Sequence, residues 1–245
     1  MFDLAHDGDI ARLTLNRPEA RNAIPASGWA ALERALGEAE GSGAKVLILR
    51  GAGSAFCAGA DLDDFAAMRD DADARARFRA AMRSALERLA SLAMPTVAAI
   101  DRACFGAGVA LALACDIRVA GPGASLAITP AKFGISYAQE DVARLVALVG
   151  PGQAARLLLS AGGIDAAEAA RIGLVEILAE ETAHAEAETL ARAIAAGSGA
   201  SHRTLKRGIA LAARGTASDA AQDRAFDDLL GSDDSAARLA AARRR

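Results

Sequence analysis

The sequence predicts an α/β fold, and three observations carry that prediction. Short apolar runs such as Lys45-Val46-Leu47-Ile48-Leu49-Arg50 and Thr96-Val97-Ala98-Ala99-Ile100 have the length and branching of strands buried on both faces. Segments with helical periodicity alternate with these runs, the order expected when helices cross over between strands of one layer. Glycine and proline punctuate the boundaries at Gly41, Gly43, Pro95 and Gly150-Pro151.

Residues 2–5 and 10–15 alternate apolar and polar side chains around Asp7-Gly8-Asp9, which reads as a β-hairpin. A proline-containing loop leads to Ser27, placed to cap a helix through Glu40 with Trp29, Leu32 and Leu36 at helical spacing. After the buried run at 45–50 comes a stretch of small residues, 52–62, read as a loop. Residues 73–92 carry Phe78, Met82, Leu86 and Leu89 on one stripe and are expected to pack on the sheet. Residues 96–100 read as strand, 106–114 as a tightly packed helix opening at glycine, and 116–120 and 125–128 as strands. Short helices are expected at 142–149, 152–160 and 166–172, and longer ones at 182–196, 201–213 and 220–230. Arg243-Arg244-Arg245 reads as a solvated tail.

The 245 residues fit one domain with an appendage, and 53% hydrophobic with 24% charged residues is the balance of a globular chain. A net charge of −3 gives no nucleic-acid footprint. Apolar stretches are interrupted by charge before the roughly 20 residues a membrane span needs. The N-terminus has no basic region followed by an apolar core, so the expected location is cytoplasmic. Cys57, Cys104 and Cys115 have no C-x-x-C spacing and read as fillers of small apolar sites. His6, His184 and His202 sit at no ligand spacing and read as surface residues, so no metal site is expected. Gly106-Ala107-Gly108 fails the dinucleotide pattern at Leu111, and there is no G-x-S-x-G elbow or Walker loop.

Three segments resemble the crotonase, or enoyl-CoA hydratase/isomerase, family. Phe56-Cys57-Ala58-Gly59-Ala60-Asp61-Leu62 is similar to its F-x-A-G-A-D-[LI] signature. Leu15-Asn16-Arg17-Pro18 through Asn22-Ala23-Ile24 is similar to its L-N-R-P-x-x-x-N-A-[LI] segment. Residues 106–116 are similar to its G-G-G-x-E-L-A-x-x-C-D signature. The likeness extends over roughly residues 10 to 180. It implies a ββα superhelix with a helical C-terminal region: an acyl-CoA-binding core over 1–190, and 191–245 for oligomer contacts and pocket cover. It also implies an acyl-CoA thioester as substrate, no cofactor beyond the CoA the substrate carries, and a homotrimer or dimer of trimers.

Carried over by position, the resemblance makes the backbone amides of Ala60 and Ala107 a pair of donors that stabilise a thioester enolate. Taken from the residues alone, the same glycines and alanines serve close helix packing. Arg21, Ala23, Ala58, Asp61 and Leu62 would border the CoA site. The glutamates that hydratases of the family use fall on Ala110 and Pro130, neither of which transfers a proton. With each general acid or base worth a hundredfold or more, two-glutamate hydration is not expected. Nearby, Gly134-Ile135-Ser136-Tyr137 is similar to G-[VI]-x-Y segments in branches such as methylmalonyl-CoA decarboxylase, which makes Tyr137 the candidate polar pocket residue. Glu140 and Asp141 read either as caps of the following helix or as relocated acid–base groups. Asp61 reads as a loop pin or helix cap, and Asp116 as the holder of a turn. The expectation is an enzyme of enolate chemistry; the alternatives are a decarboxylase-like acyl-CoA lyase and a catalytically silent acyl-CoA-binding protein.

Overall fold

The computed structural model describes residues 1–244; Arg245, the last of the terminal arginines, lies outside the described residues. The chain opens with the expected hairpin, β1 (Phe2–Asp7) and β2 (Ile10–Leu15), paired antiparallel with Asp7 opposite Ile10. Helix α1 (Gly28–Gly41) follows and buries Trp29, Leu32 and Leu36. Ser27 is helical at φ −70°, ψ −19°, so its hydroxyl makes no cap. Instead the Gly28 amide donates to Pro25 O and Asp64 accepts from the Ala26 amide.

Three times thereafter the chain places one strand in each of two sheets and then a helix. The first round is β3 (Val46–Gly51), β4 (Ala55–Cys57), α2 (Leu62–Ala67) and α3 (Ala72–Ser91). The second is β5 (Thr96–Ile100), β6 (Ala103–Phe105) and α4 (Ala107–Ala114). The third is β7 (Ile117–Ala120), β8 (Ser125–Ala127) and α5 (Gln139–Ser160). Strand β9 (Gly163–Asp165), α6 (Ala166–Arg171) and β10 (Ile177–Leu178) complete the layers. The larger sheet runs β1-β2-β3-β5-β7-β10 and is parallel beyond the hairpin; the smaller runs β4-β6-β8-β9. This is the expected α/β superhelix of ββα turns. Of the small sheet's strands, β8 falls within the strand expected at 125–128, whereas β4, β6 and β9 were not anticipated, because three residues are too few for a period of two to register.

Residues 73–92 form a helix, yet α3 packs chiefly on α1 and α4 rather than on the sheet. Arg88 pairs with Glu40 at 2.6 Å and Ser84 donates to Glu33 at 3.0 Å, tying α3 to α1. Its stripe is divided: Leu86 and Leu89 are buried, while Phe78 and Met82 are half-buried and face a cavity. Helix α5 unites the two short helices expected at 142–149 and 152–160. By length and composition it is apolar enough to cross a membrane, with a mean hydropathy of 1.3, which the sequence reading had not foreseen. Gly150, at φ 72° and ψ 165°, breaks it into two arms. Each arm is far short of the roughly 20 residues a span requires.

Residue 190 falls inside α7 (Ala183–Ala195), whose Ala183, Ala187 and Ala191 pack against Val46, Ile48, Val97 and Ala99 of the large sheet. Helices α8 (Gly199–Ala213), α9 (Ala220–Leu230) and α10 (Asp233–Ala242) have no fully buried residue. The last was not expected; its alanine-rich sequence has helix propensity but a weak apolar stripe. Asp116 holds its turn by accepting from the Thr96 amide at 2.8 Å and from Lys206 of α8 at 2.7 Å.

Candidate active site

Two glycine- and alanine-rich segments meet beside a cavity of about 830 Å³. In the first, the Ile24 amide donates to Gly59 O at 2.8 Å and the Asp61 amide donates to Ile24 O at 2.9 Å. Successive peptide groups of an extended chain point to opposite sides, so the intervening Ala60 N–H is turned away from Ile24. In the second segment, Ala107 is the first residue of α4, where no helical carbonyl is available to its amide. Neither amide donates to a protein acceptor among the described residues. Both Ala60 and Ala107 line the cavity.

The close approach depends on missing side chains. A Cβ at Gly59, whose φ is +113°, would sit 3.0 Å from Phe105 O and 3.5 Å from the Ala107 nitrogen. A Cβ at Gly108 would lie 2.4 Å from Cys57 O, so α4 rests directly on β4. Gly108→Ala is expected to cost about 1–3 kcal/mol through overpacking, read by denaturant titration.

Seven of the ten residues singled out from sequence line this one cavity: Arg21, Ala58, Ala60, Leu62, Ala107, Tyr137 and Asp141. Ala23, Asp61 and Glu140 do not. The Ala23 carbonyl accepts from Arg17 at 3.1 Å. Asp61 caps α2 through the Asp63 amide and pairs with Arg17 at 2.6 Å, which holds its carboxyl below the usual range. Asp61 thus joins the loop that carries Arg17 to the loop that carries Ala60. Glu140 pairs with Arg83 of α3 at 2.5 Å.

Tyr137 donates from its hydroxyl to Gly106 O at 3.0 Å, bracing the residue just before the Ala107 amide. Burial, together with the nearby charge of Asp141, pushes its phenol well above its ordinary pKa. Asp141 is 2% exposed and is held by Arg144 at 2.9 Å. Burial pushes its carboxyl up to about 6 from 3.8 against the pull of Arg144. A carboxyl whose folded pKa is raised contributes stability below its unfolded pKa and loses it as pH rises through about 6. Asp141→Asn is therefore expected to melt above the parent at pH 8, by something on the order of 2–3 kcal/mol, and level with it near pH 3. Differential thermal scans at the two pH values check this.

Cavity-lining residues that sequence reasoning missed include Phe65, Met68 and Thr129. Phe65 meets Phe78 edge-on, with ring centroids 5.4 Å apart. Its helix is a six-residue segment, too brief for a periodic signal. Thr129 lies close to Gly106, its hydroxyl 3.3 Å from where a Cβ there would stand. Ala110 and Pro130 also face the cavity, and neither bears an ionisable group.

All three cysteines are buried, and burial pushes the Cys57 and Cys115 thiols up to about 12, which keeps them neutral. His6 is exposed as expected, whereas His184 and His202 are half-buried, and desolvation lowers both. Among the described residues no three His, Cys, Asp or Glu side chains gather as a metal site would require.

The family model for enoyl-CoA hydratase/isomerase matches residues 5–236. The probable enoyl-CoA hydratase EchA14 of Mycobacterium tuberculosis (strain ATCC 25618 / H37Rv) is 35% identical over an alignment covering 99% of this chain and 97% of that one. A short-chain-enoyl-CoA hydratase of Clostridium acetobutylicum is 35% identical over 72% of this chain and 68% of its own. Among solved structures, an enoyl-CoA hydratase/isomerase family protein from Hyphomonas neptunium superposes with a TM-score of 0.94 at 34% identity, covering 100% of this chain and 95% of the other. With the ββα turns, the two signature segments and these relatives in agreement, the chain belongs to the crotonase, or enoyl-CoA hydratase/isomerase, family.

Proposed function

We propose that this protein is an enzyme that binds an acyl-CoA thioester and stabilises its enolate with the Ala60 and Ala107 amides. The observation that carries the reading is the pair of amides without protein acceptors at one cavity. Fixed donors aimed at an oxygen that gains charge are worth about 3–4 kcal/mol each, because they need no reorganisation as the charge forms. Arg21, with no acidic partner among the described residues, suits the CoA phosphates, and Leu62 suits the pantetheine arm. CoA enters as part of the substrate, and enolate formation and collapse leave no net electrons to carry away, so we infer no further cofactor.

Ala110 and Pro130 occupy the positions that the resemblance assigns to the two hydratase glutamates. Hydration by paired glutamates is therefore not the reaction we infer. Isomerisation and decarboxylation each need the enolate but not both acids.

The assembly we infer is a homotrimer or dimer of trimers. Leu205, Ile209, Phe226 and Leu230 are more than half exposed on α8 and α9, and Leu205, Phe226 and Leu230 line a groove of about 590 Å³. Apolar side chains so concentrated are commonly covered by a partner. Light scattering is expected to give three or six times 24.9 kDa; a monomer at micromolar concentration overturns this part of the proposal.

Calorimetry with saturated, 2-enoyl, 3-enoyl and 2-carboxyacyl CoA thioesters, followed by turnover assays, tests the activity. Binding with turnover of at least one supports the proposal. Binding without any turnover identifies a silent acyl-CoA-binding protein. Tight NAD binding without thioester binding overturns the site assignment.

A further inference from the structure

Resting on that reading of the cavity as a thioester site, we propose that Asp141 is the group that takes a proton from the acyl chain and returns it. The reaction class is double-bond migration in an enoyl-CoA. The sequence left Asp141 level with Glu140, the pair reading either as helix caps or as relocated acid–base groups. The structure separates the two. Glu140 pairs with Arg83, does not line the cavity, and its other oxygen is enclosed without a partner. Ala138 occupies the cap position of α5, and no side chain caps it.

Among the described residues, Asp141 is the one carboxylate that lines the cavity. Its Oδ1 is held by Arg144, while Oδ2 has no hydrogen-bond partner among the described residues. The fully enclosed, unpartnered side-chain atoms among the described residues are Trp29 Nε1, Glu140 Oε2 and His202 Nδ1. Asp141 Oδ2 is not one of them, so it keeps free surface, and the cavity is what the residue borders. A carboxylate with one oxygen fixed and the other open to a ligand is preorganised to exchange a proton.

The charged groups around it are Arg144 and Glu140 on its own helix and Glu87 of α3, the last reached through Arg144. Arg83 of α3 pairs with Glu140, and the Tyr137 phenol, a further neighbour, stays protonated. Burial outweighs Arg144, so the carboxyl titrates near 6, where it both accepts and gives up a proton readily at neutral pH.

The step balances without a co-reactant. The Asp141 carboxylate takes a proton from the α-carbon of a 3-enoyl thioester. The C–H electron pair moves into the thioester and places negative charge on its oxygen, at the Ala60 and Ala107 amides. The dienolate then collapses, a C–H bond forms at the γ-carbon with the same proton, and the double bond lies between the α- and β-carbons. One carboxyl suffices because it acts first as base and then as acid. Hydration would ask it to activate water as well. Arg144 is a positioning residue: it fixes Oδ1 and opposes the rise that burial imposes on the carboxyl.

The test follows deuterium uptake from D2O at the α-carbon of butyryl-CoA by NMR, beside isomerisation of a 3-enoyl-CoA by the full chain. In the parent, exchange is expected to rise with pH through a midpoint near 6. Asp141→Asn should slow it by about 10²–10⁴-fold while butyryl-CoA affinity changes by less than about threefold. Asp141→Glu should recover part of the rate, and Arg144→Gln should move the midpoint upward by removing the opposing cation. These two hold the test open if the asparagine variant fails to fold. Exchange in Asp141→Asn at the parent rate, or a midpoint indifferent to Arg144→Gln, overturns the assignment and leaves the thioester site standing. Decarboxylation of a 2-carboxyacyl-CoA at the parent rate by Asp141→Asn, with no isomerisation by the parent, also overturns it. Failure of the parent to bind any CoA thioester removes the underlying reading instead.

Discussion

Ala107→Pro is expected to lower turnover of an acyl-CoA substrate by about 10²–10³-fold while the protein stays folded. The substitution removes one N–H and puts a ring carbon in its place. Ala107 is the first residue of α4, the helical position where proline is best tolerated. Its amide gives up no hydrogen bond within the protein, so the folded state loses little. A melting temperature within about 3 °C of the parent, set beside the kinetic loss, separates the missing donor from general damage. Retention of more than a third of parental kcat would remove this amide from the reaction.

Asn22→Ala is the substitution expected to damage the fold around the site most. Asn22 has no exposed surface and a φ of 59°, the left-handed region that asparagine tolerates better than most residues. Its side chain donates to Ala52 O at 2.9 Å and to Ala55 O at 2.8 Å, and accepts from the Arg17 amide at 2.9 Å. Those bonds fasten the loop that carries Arg21 to the turn that delivers Ala58 and Ala60. Each polar group stranded on truncation costs about 1–3 kcal/mol, so the loss should reach about 4 kcal/mol. For a chain of this length that is a fall of roughly 10 °C in melting temperature. A loss below about 1 kcal/mol would show that water or a rearranged loop meets those groups. CoA-ester affinity should fall with stability, since Ala58 donates to the Arg21 carbonyl across the same junction at 2.9 Å.

The two results address different layers of one arrangement. Asn22 and the Asp61–Arg17 pair hold two loops together, and Gly59 and Gly108 let α4 close on them. Ala60 and Ala107 then expose their amides, and Asp141 stands at the same cavity. Stabilising Asp141→Asn at high pH while losing proton transfer would be the usual exchange of activity for stability at a site that buries a charge.

Much of this was written in local sequence. The hairpin, the buried runs at Val46 and Thr96, and the helices bearing Trp29 and Leu86 follow from side-chain periodicity, which a single segment displays by itself. The resemblance carried by the signature segments singled out Ala60 and Ala107, and both line the cavity. Tertiary structure decided the rest. Strands such as Ala55–Cys57 exist because partners flank them, and three residues carry no pattern of their own. Phe78 and Met82 share a stripe with Leu86, yet only the arrangement of α2 against α3 makes the first pair a cavity wall. Adjacent carboxylates at 140 and 141 are equivalent in sequence; helix geometry sends one to Arg83 and the other into the cavity, where burial shifts its titration. Local chemistry determined which groups were available, and long-range packing determined which of them face a ligand, since burial and direction belong to the assembled chain.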